Sequence, residues 1–174
     1  MYRRLFRECT TMECTRTCES LHDLDVSMFN HILSSRVKFM GHISTVEVRY
    51  AETDQMGIAH HSNYAVWFEV ARTDFIKAAG ISYTDVEKEG IITPLTSLEC
   101  KYKKAAFYED QLQIHASLTK LSPVRLEFSY KVTRGGDLIA TGKTTHGMVT
   151  KDLKPINVKK EHPEIYRMFE NALD

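Results

Sequence analysis

Between Tyr50 and Tyr64 the chain reads Tyr-Ala-Glu-Thr-Asp-Gln-Met-Gly-Ile-Ala-His-His-Ser-Asn-Tyr, its densest run of side chains able to move protons or hold polar atoms. Asp54 stands shortly before a helix start at His61 to Asn63. A helix N-terminus offers free N–H donors and the positive end of the helix dipole, which together polarise a carbonyl, and a carboxylate serves as nucleophile or general base against it. The same Asp-x-x-Gly spacing also describes an ordinary turn before a capped helix, with Asp54 as a turn residue. Glu52, beside a strand end, fits a solvated or ion-paired role. His60 and His61 are adjacent, but consecutive side chains on an irregular segment are expected to point apart, and no third ligand is close in sequence, so a metal site is not expected there. Tyr64 suits either a hydrogen bond to a ligand or a core position with a satisfied hydroxyl. Glu69 lies on an otherwise apolar helix and needs a partner, for which Arg72 is spaced correctly.

The elements that must carry these residues follow from hydrophobic periodicity. From His42 to Tyr50, Ser44, Val46, Val48 and Tyr50 alternate with Thr45, Glu47 and Arg49, which predicts a strand with one buried face. Ser62 is placed to cap a helix running to about Ala79 and closed by Gly80. Apolar residues cover most of that helix's circumference, so it is expected to be wrapped by sheet. Ser82 to Lys88 reads as a short helix closed by Gly90. Strands are expected over Ile92 to Tyr102 (interrupted by Pro94), Leu112 to Leu118, Val124 to Val132 and Leu138 to Thr150. The Arg134-Gly135-Gly136-Asp137 run forms the last hairpin turn. Glu161 to Leu173 predicts a terminal helix. The order is strand, long helix, then a four-stranded meander: an α+β fold, with an antiparallel sheet of about five strands around one long buried helix.

Length and charge bound the rest. The chain has 174 residues, 43% apolar and 26% charged, which suits one sizeable core. Lys plus Arg and Asp plus Glu are both 23, a formal charge of zero, so nucleic-acid binding is not expected. No apolar run approaches the ~20 residues of a membrane span, and no h-region follows the basic start, so no membrane partner is expected. Cys9, Cys14 and Cys18 crowd the beginning while Cys100 stands alone. Reduced thiols and a cytoplasmic location are the expectation, against a metal site from Cys9, Cys14, Cys18 and His22 that lacks a paired C-x-x-C. Arg3, Arg4 and Arg7 suggest a transit peptide that Glu8, Glu13, Glu19, Asp23 and Asp25 contradict. Residues 1–40 are read as a mobile extension and residues 41–174 as the domain, with Met40 as a plausible start.

The run from Tyr50 to Tyr64 resembles the signature of the 4-hydroxybenzoyl-CoA thioesterase branch of the hotdog-fold acyl-CoA thioester hydrolases, which includes the YbgC-like bacterial enzymes. The shared features are an aromatic residue, acidic or polar residues, Thr53-Asp54, Gly57, and His61-Ser62-Asn63-Tyr64. The resemblance continues through Phe68-Glu69-Val70-Ala71-Arg72 and Tyr102 to Ile114, covering about Ile43 to Thr150. It implies hydrolysis of an acyl-CoA thioester, without a metal or redox cofactor, with Asp54 as nucleophile or general base and the backbone N–H of His61 polarising the thioester carbonyl. It also places Gly57, Tyr64 and Glu69 on the substrate side. Coenzyme A phosphates need cations, for which Lys103, Lys120 and Arg125 are the candidates, although Ser122-Pro123-Val124 replaces the Arg-Arg-Lys run of some members. The resemblance further implies a homodimer, in some members paired into a tetramer, with the site at the subunit boundary. Hydrolysis of acyl groups on a carrier protein, and a non-catalytic module binding acyl ligands or a protein, are the competing readings.

Overall fold

Period-two alternation governs the sheet. In β1 (His42–Glu47) the face carrying Ser44 turns inward, continued beyond the strand by Val48, while Thr45 and Glu47 point away. The computed structural model describes residues 41–174, which lie within the compact unit Lys38–Asp174. The cysteine-rich metal set, the transit-peptide reading and the start at Met40 fall outside the described residues. β1 ends earlier than its alternation suggested, because the chain tightens into a 3-10 turn at Tyr50–Glu52. That turn rotates Tyr50 out of the buried row and leaves it 76% exposed.

The chain then enters α1 (Ser62–Ala78), followed by α2 (Tyr83–Lys88), β2 (Leu95–Tyr102), β3 (Gln111–Ser122), β4 (Arg125–Arg134), β5 (Asp137–Gly147), α3 (Val158–Glu161) and α4 (Pro163–Asn171). The five strands form one antiparallel sheet in the order β1-β3-β4-β5-β2. Thus β3, β4 and β5 make the expected meander, but β2 crosses to pair with β5 and does not adjoin β3. The β4–β5 turn pairs Arg134 with Asp137 across Gly135 and Gly136, both at positive φ, as the sequence required. β2 starts after Pro94, which cannot donate to the ladder, and β5 stops at Gly147. The terminal helix begins at Pro163 instead of Glu161, proline being suited to a first helical turn, with the short α3 before it.

α1 crosses the inner face of the sheet and packs on β1 and β3. Tyr64, Trp67, Phe68, Ala71, Phe75 and Ile76 supply its buried face. The Phe68 ring stacks on Tyr130 of β4 at 4.4 Å between centroids, and Phe75 meets Phe128 edge-on. Within one chain the helix is not covered all round, as its composition had suggested: Val66 and Val70 are 53% and 41% exposed. Ser62 does not cap the helix either. His61 holds the N-cap position without a side-chain bond, and the Ser62 hydroxyl pairs with His60 Nδ1 at 2.8 Å. The second helix is capped by Ser82, whose Oγ accepts the Asp85 N–H.

Close approach of helix to sheet depends on Gly142 of β5, where an added Cβ would overlap the Phe68 ring. Phe68 is fully buried and held by Tyr130, so it has nowhere to retreat. Gly142→Ala is expected to cost about 1–3 kcal/mol through overpacking, seen as a lower urea midpoint with unchanged m-value. Gly147→Ala, where a Cβ meets nothing nearer than 3.7 Å, is the control; equal stability of both variants would contradict this packing.

Candidate active site

The chain between β1 and α1 is fixed from both ends. Glu52, 4% exposed, accepts the Arg49 backbone N–H on Oε2 at 2.8 Å, and on Oε1 the Arg49 Nη2 at 2.8 Å and the Trp67 indole N–H at 3.2 Å. A carboxylate out of water needs this many donors. Burial pushes its carboxyl up, but the Arg49 and Trp67 hydrogen bonds together with the Arg49 charge hold it below the usual carboxylate range. The Glu52 carbonyl in turn accepts the His60 N–H at 2.7 Å and the Asn63 side-chain amide at 2.8 Å. Glu52 is therefore ion-paired, as the sequence allowed, but buried and central to the loop.

Inside this frame Thr53 and Ala59 bridge, closing a small loop whose turn runs from Asp54 to Gly57. Asp54 N–H donates to the Ile58 carbonyl, Gly57 N–H to the Asp54 carbonyl, and Met56 N–H to Asp54 Oδ1 at 2.8 Å. One carboxylate oxygen of Asp54 is thereby anchored, while Oδ2 has no partner among the described residues. Gly57 sits at φ +73° with open space around it, so the turn's conformation is what its residue type serves.

At the helix start the Asn63 N–H donates to the His60 carbonyl, and the Tyr64 N–H reaches the His61 carbonyl at 3.4 Å. The Ser62 N–H leans on His60 Nδ1 at 3.4 Å. The His61 N–H has no acceptor among the described residues, and it stands at the positive end of α1. The His60 and His61 rings lie side by side, 4.0 Å between centroids, and do not point apart as expected. No group of three or more His, Cys, Asp or Glu among the described residues is placed to hold a metal ion. His115 and His146 do not converge: they lie on β3 and β5, separated by β4, with His146 buried among the inward-facing residues.

The remaining candidates are dispersed. Tyr64 is a core aromatic, 4.8 Å from Trp67 and 4.9 Å from Tyr102 between centroids, its hydroxyl pKa raised by burial. Burial also raises the Cys100 thiol, and burial with the Cys100 contact pushes Tyr102 up to about 12. Glu69 is exposed and does not pair with Arg72, whose Nε donates to Tyr83 at 2.9 Å. Lys103 is tied by its backbone to Ile139, at the end of the sheet that also holds the loop through the Ala59 N–H to Ala106 bond. Lys120, paired with Glu127, and Arg125 lie at the opposite end. Arg125 and Val132 are seven residues apart on β4, a span of about 23 Å at ~3.3 Å per residue. One chain does not gather the three cations.

A match to the family model for the thioesterase-like superfamily runs over residues 48–165 and so includes the loop, both candidate groups and the whole of β2 to β5. The chain belongs to that superfamily. This thioesterase is 37% identical over 129 residues to the Bacillus subtilis protein named "Putative acyl-CoA thioesterase YneP", covering 73% of the present chain and 94% of that one. A crystal structure of a DHNA-CoA thioesterase from Staphylococcus aureus superposes with TM-score 0.71 at 41% identity, covering 74% of this chain and 87% of that one. The Haemophilus influenzae acyl-CoA thioesterase YbgC is 26% identical over 120 residues, 67% of this thioesterase and 87% of its own length. The fold is accordingly the hotdog fold, and the chain is a thioester hydrolase. Sequence reading undervalued Glu52; the signal present was its spacing from Arg49, which forms a capping box around the 3-10 turn.

Glu52→Gln keeps the volume but loses the charge, and is expected to cost about 1–3 kcal/mol at neutral pH. Because the folded carboxyl lies below its unfolded value of about 4.3, the contribution is complete above that pH and is lost as pH falls through the folded value. Urea titrations of both proteins should therefore converge below about pH 4; a gap independent of pH would contradict the ionised staple.

Proposed function

We propose that this thioesterase is a cytoplasmic enzyme that hydrolyses an acyl-CoA thioester to the free carboxylic acid and CoA, without a metal or redox cofactor. The observation that carries this is the pairing, on one Glu52-braced loop, of an Asp54 carboxylate with one free oxygen and a His61 N–H with no acceptor among the described residues. The names of the relatives, acyl-CoA thioesterases in two bacteria, support the substrate class.

The thioester carbonyl oxygen accepts the His61 N–H, which draws electron density from the carbonyl carbon and stabilises the oxyanion as it forms. Asp54 Oδ2 then either attacks that carbon or takes the proton of the water that does. Attack by Asp54 expels the CoA thiolate as the C–S bond breaks and leaves a mixed anhydride, which water then cleaves to the acid and the free carboxylate. Attack by water gives the acid directly. In both routes the thiolate ends protonated by a proton that the water gives up. Gly57 sets the turn that presents the carboxylate, and Tyr64 and Glu69 border the acyl group.

The minimal active unit in this reading is a homodimer, with pairing into tetramers open to it. β2 is an edge strand bonded on one side to β5, and Leu95, Leu98 and Tyr102 on it are exposed. Unpaired strand edges with apolar side chains favour association. A second chain also resolves the separation of cations: Lys103 beside the loop and Lys120 and Arg125 of the other copy would meet one nucleotide.

Asp54→Asn is expected to lower kcat by about 10²–10⁴-fold in a thiol-release assay over an acyl-CoA panel, with the fold retained; near-normal turnover would reject the role. His61→Ala should keep substantial activity, whereas His61→Pro, which deletes the N–H, should lose about 10²-fold or more. Equal losses would transfer the chemistry to the imidazole. Light scattering should find a dimer whose dissociation on dilution tracks loss of activity; a fully active monomer of 20.0 kDa would refute the shared site.

A further inference from the structure

Among the described residues, Arg72 is a charge without a counter-charge. It lies half-buried on α1, Nε donating to the Tyr83 hydroxyl of α2 at 2.9 Å, with the Tyr130 hydroxyl of β4 near enough to interact with its charge. No carboxylate of the described residues is within ion-pairing distance of it. Tyr130 leads into a buried polar chain: its hydroxyl meets Thr144 Oγ1 at 2.8 Å, Thr144 Oγ1 meets His146 Nε2 at 3.0 Å, and His146 Nδ1 faces the Thr93 carbonyl at 3.3 Å. Every member is neutral. Burial and then the nearby Arg72 charge push His146 down to about 4, so it adds no second cation at ordinary pH. Removing a guanidinium from water without an anion is costly, and one planar anion on its remaining N–H groups offsets that cost.

The position suits a ligand. The opposite flank of α1 is taken by Asp74, bonded to Ser44 of β1 at 2.6 Å, so Arg72 lies on the flank toward β5 and β2. There the inner row of β5 is buried at Ala140, Thr144 and His146, but beyond it α1 leaves β2 uncovered: Leu98 and Tyr102, opposite Thr144 and Ala140, are exposed. Along the same flank Ala65, two turns earlier, is small. Ten residues separate Ser62 from Arg72, a rise of about 15 Å, and helical side chains lean back toward the N-terminus. A guanidinium within that distance of the His61 N–H is reached by an acyl chain of medium length lying along α1.

We propose that Arg72, oriented by Tyr83, binds a carboxylate at the far end of the acyl group, making ω-carboxyacyl thioesters preferred over unsubstituted acyl thioesters. This rests on the thioesterase reading of Asp54 and His61. Bidentate Arg–carboxylate pairing in a partly dry site supplies both affinity and selectivity.

The full-length protein is assayed for thiol release from suberoyl-CoA and octanoyl-CoA, which differ by the terminal carboxylate. A kcat/KM ratio of about tenfold or more for suberoyl-CoA is expected. Arg72→Met should bring the ratio near one, and Arg72→Lys should keep part of it. A wild-type ratio near one, or a ratio unmoved in Arg72→Met, overturns the proposal. Should the Arg72 variants fail to fold, Tyr83→Phe, which removes the orienting hydroxyl, is expected to shrink the ratio severalfold. Free suberate should raise the Tm more than free octanoate does, a readout that needs no turnover; equal shifts overturn the site. Suberate stabilisation without thiol release from either thioester would keep the anion site and reject the hydrolase reading.

Discussion

The buried Glu52 carboxylate is the interaction on which the loop geometry depends. Its three donors come from the end of β1 and the middle of α1, and its own backbone carbonyl holds His60 and Asn63. Strand end, loop base and helix start are thus tied through one residue. The cost of burying that charge is met by hydrogen bonds that exist in one arrangement, and the same arrangement leaves the His61 N–H without an acceptor among the described residues. Asn63 and Tyr64 have local acceptors for their N–H groups, so the positive helix end is presented mainly through that one donor.

The sheet explains where the rest can go. α1 packs on β1 and β3 and lays Phe68 over β4 and Gly142 of β5, so the inner face that stays uncovered in one chain is that of the edge strand β2, at Leu98 and Tyr102, with Val66 and Val70 of the helix exposed as well. The uncovered face of β2 beside α1 accounts together for the proposed second subunit, the proposed acyl path and the cation flank at Arg72. The CoA cations follow the same division: Lys103 shares the loop's end of the sheet and Lys120 and Arg125 do not, so a complete nucleotide site is an attribute of the proposed assembly.

Local rules made much of this legible. The alternation in Leu112 to Leu118 and Val124 to Val132, the Gly135-Gly136 turn and the Gly80 helix stop all appear where their residue types demand. The family signature around Asp54 located the loop. What was hidden is long-range: nothing in Leu95 to Tyr102 says that it pairs with β5 and not β3, because both neighbours offer the same ladder. Glu69 and Arg72 have the spacing of an ion pair, yet Tyr83, eleven residues on, holds the guanidinium. Ser62 has the residue type of a cap, but the loop brings His60 to it first. A contact from another element displaced the ion pair, and a neighbour two residues away displaced the cap, each a local preference of a few tenths to about one kcal/mol.

The central claim is that the His61 N–H is the donor to the substrate carbonyl. Its most direct test is the backbone amide resonance of His61 in 15N-labelled protein, recorded with and without a ketone analogue of acyl-CoA in which a methylene replaces the thioester sulfur. The proton should move downfield on binding, more than any other amide of the first turn of α1, and the shift should be lost when the acyl carbonyl is reduced to an alcohol. A His61 amide that stays unmoved while the analogue binds would contradict the assignment of the site.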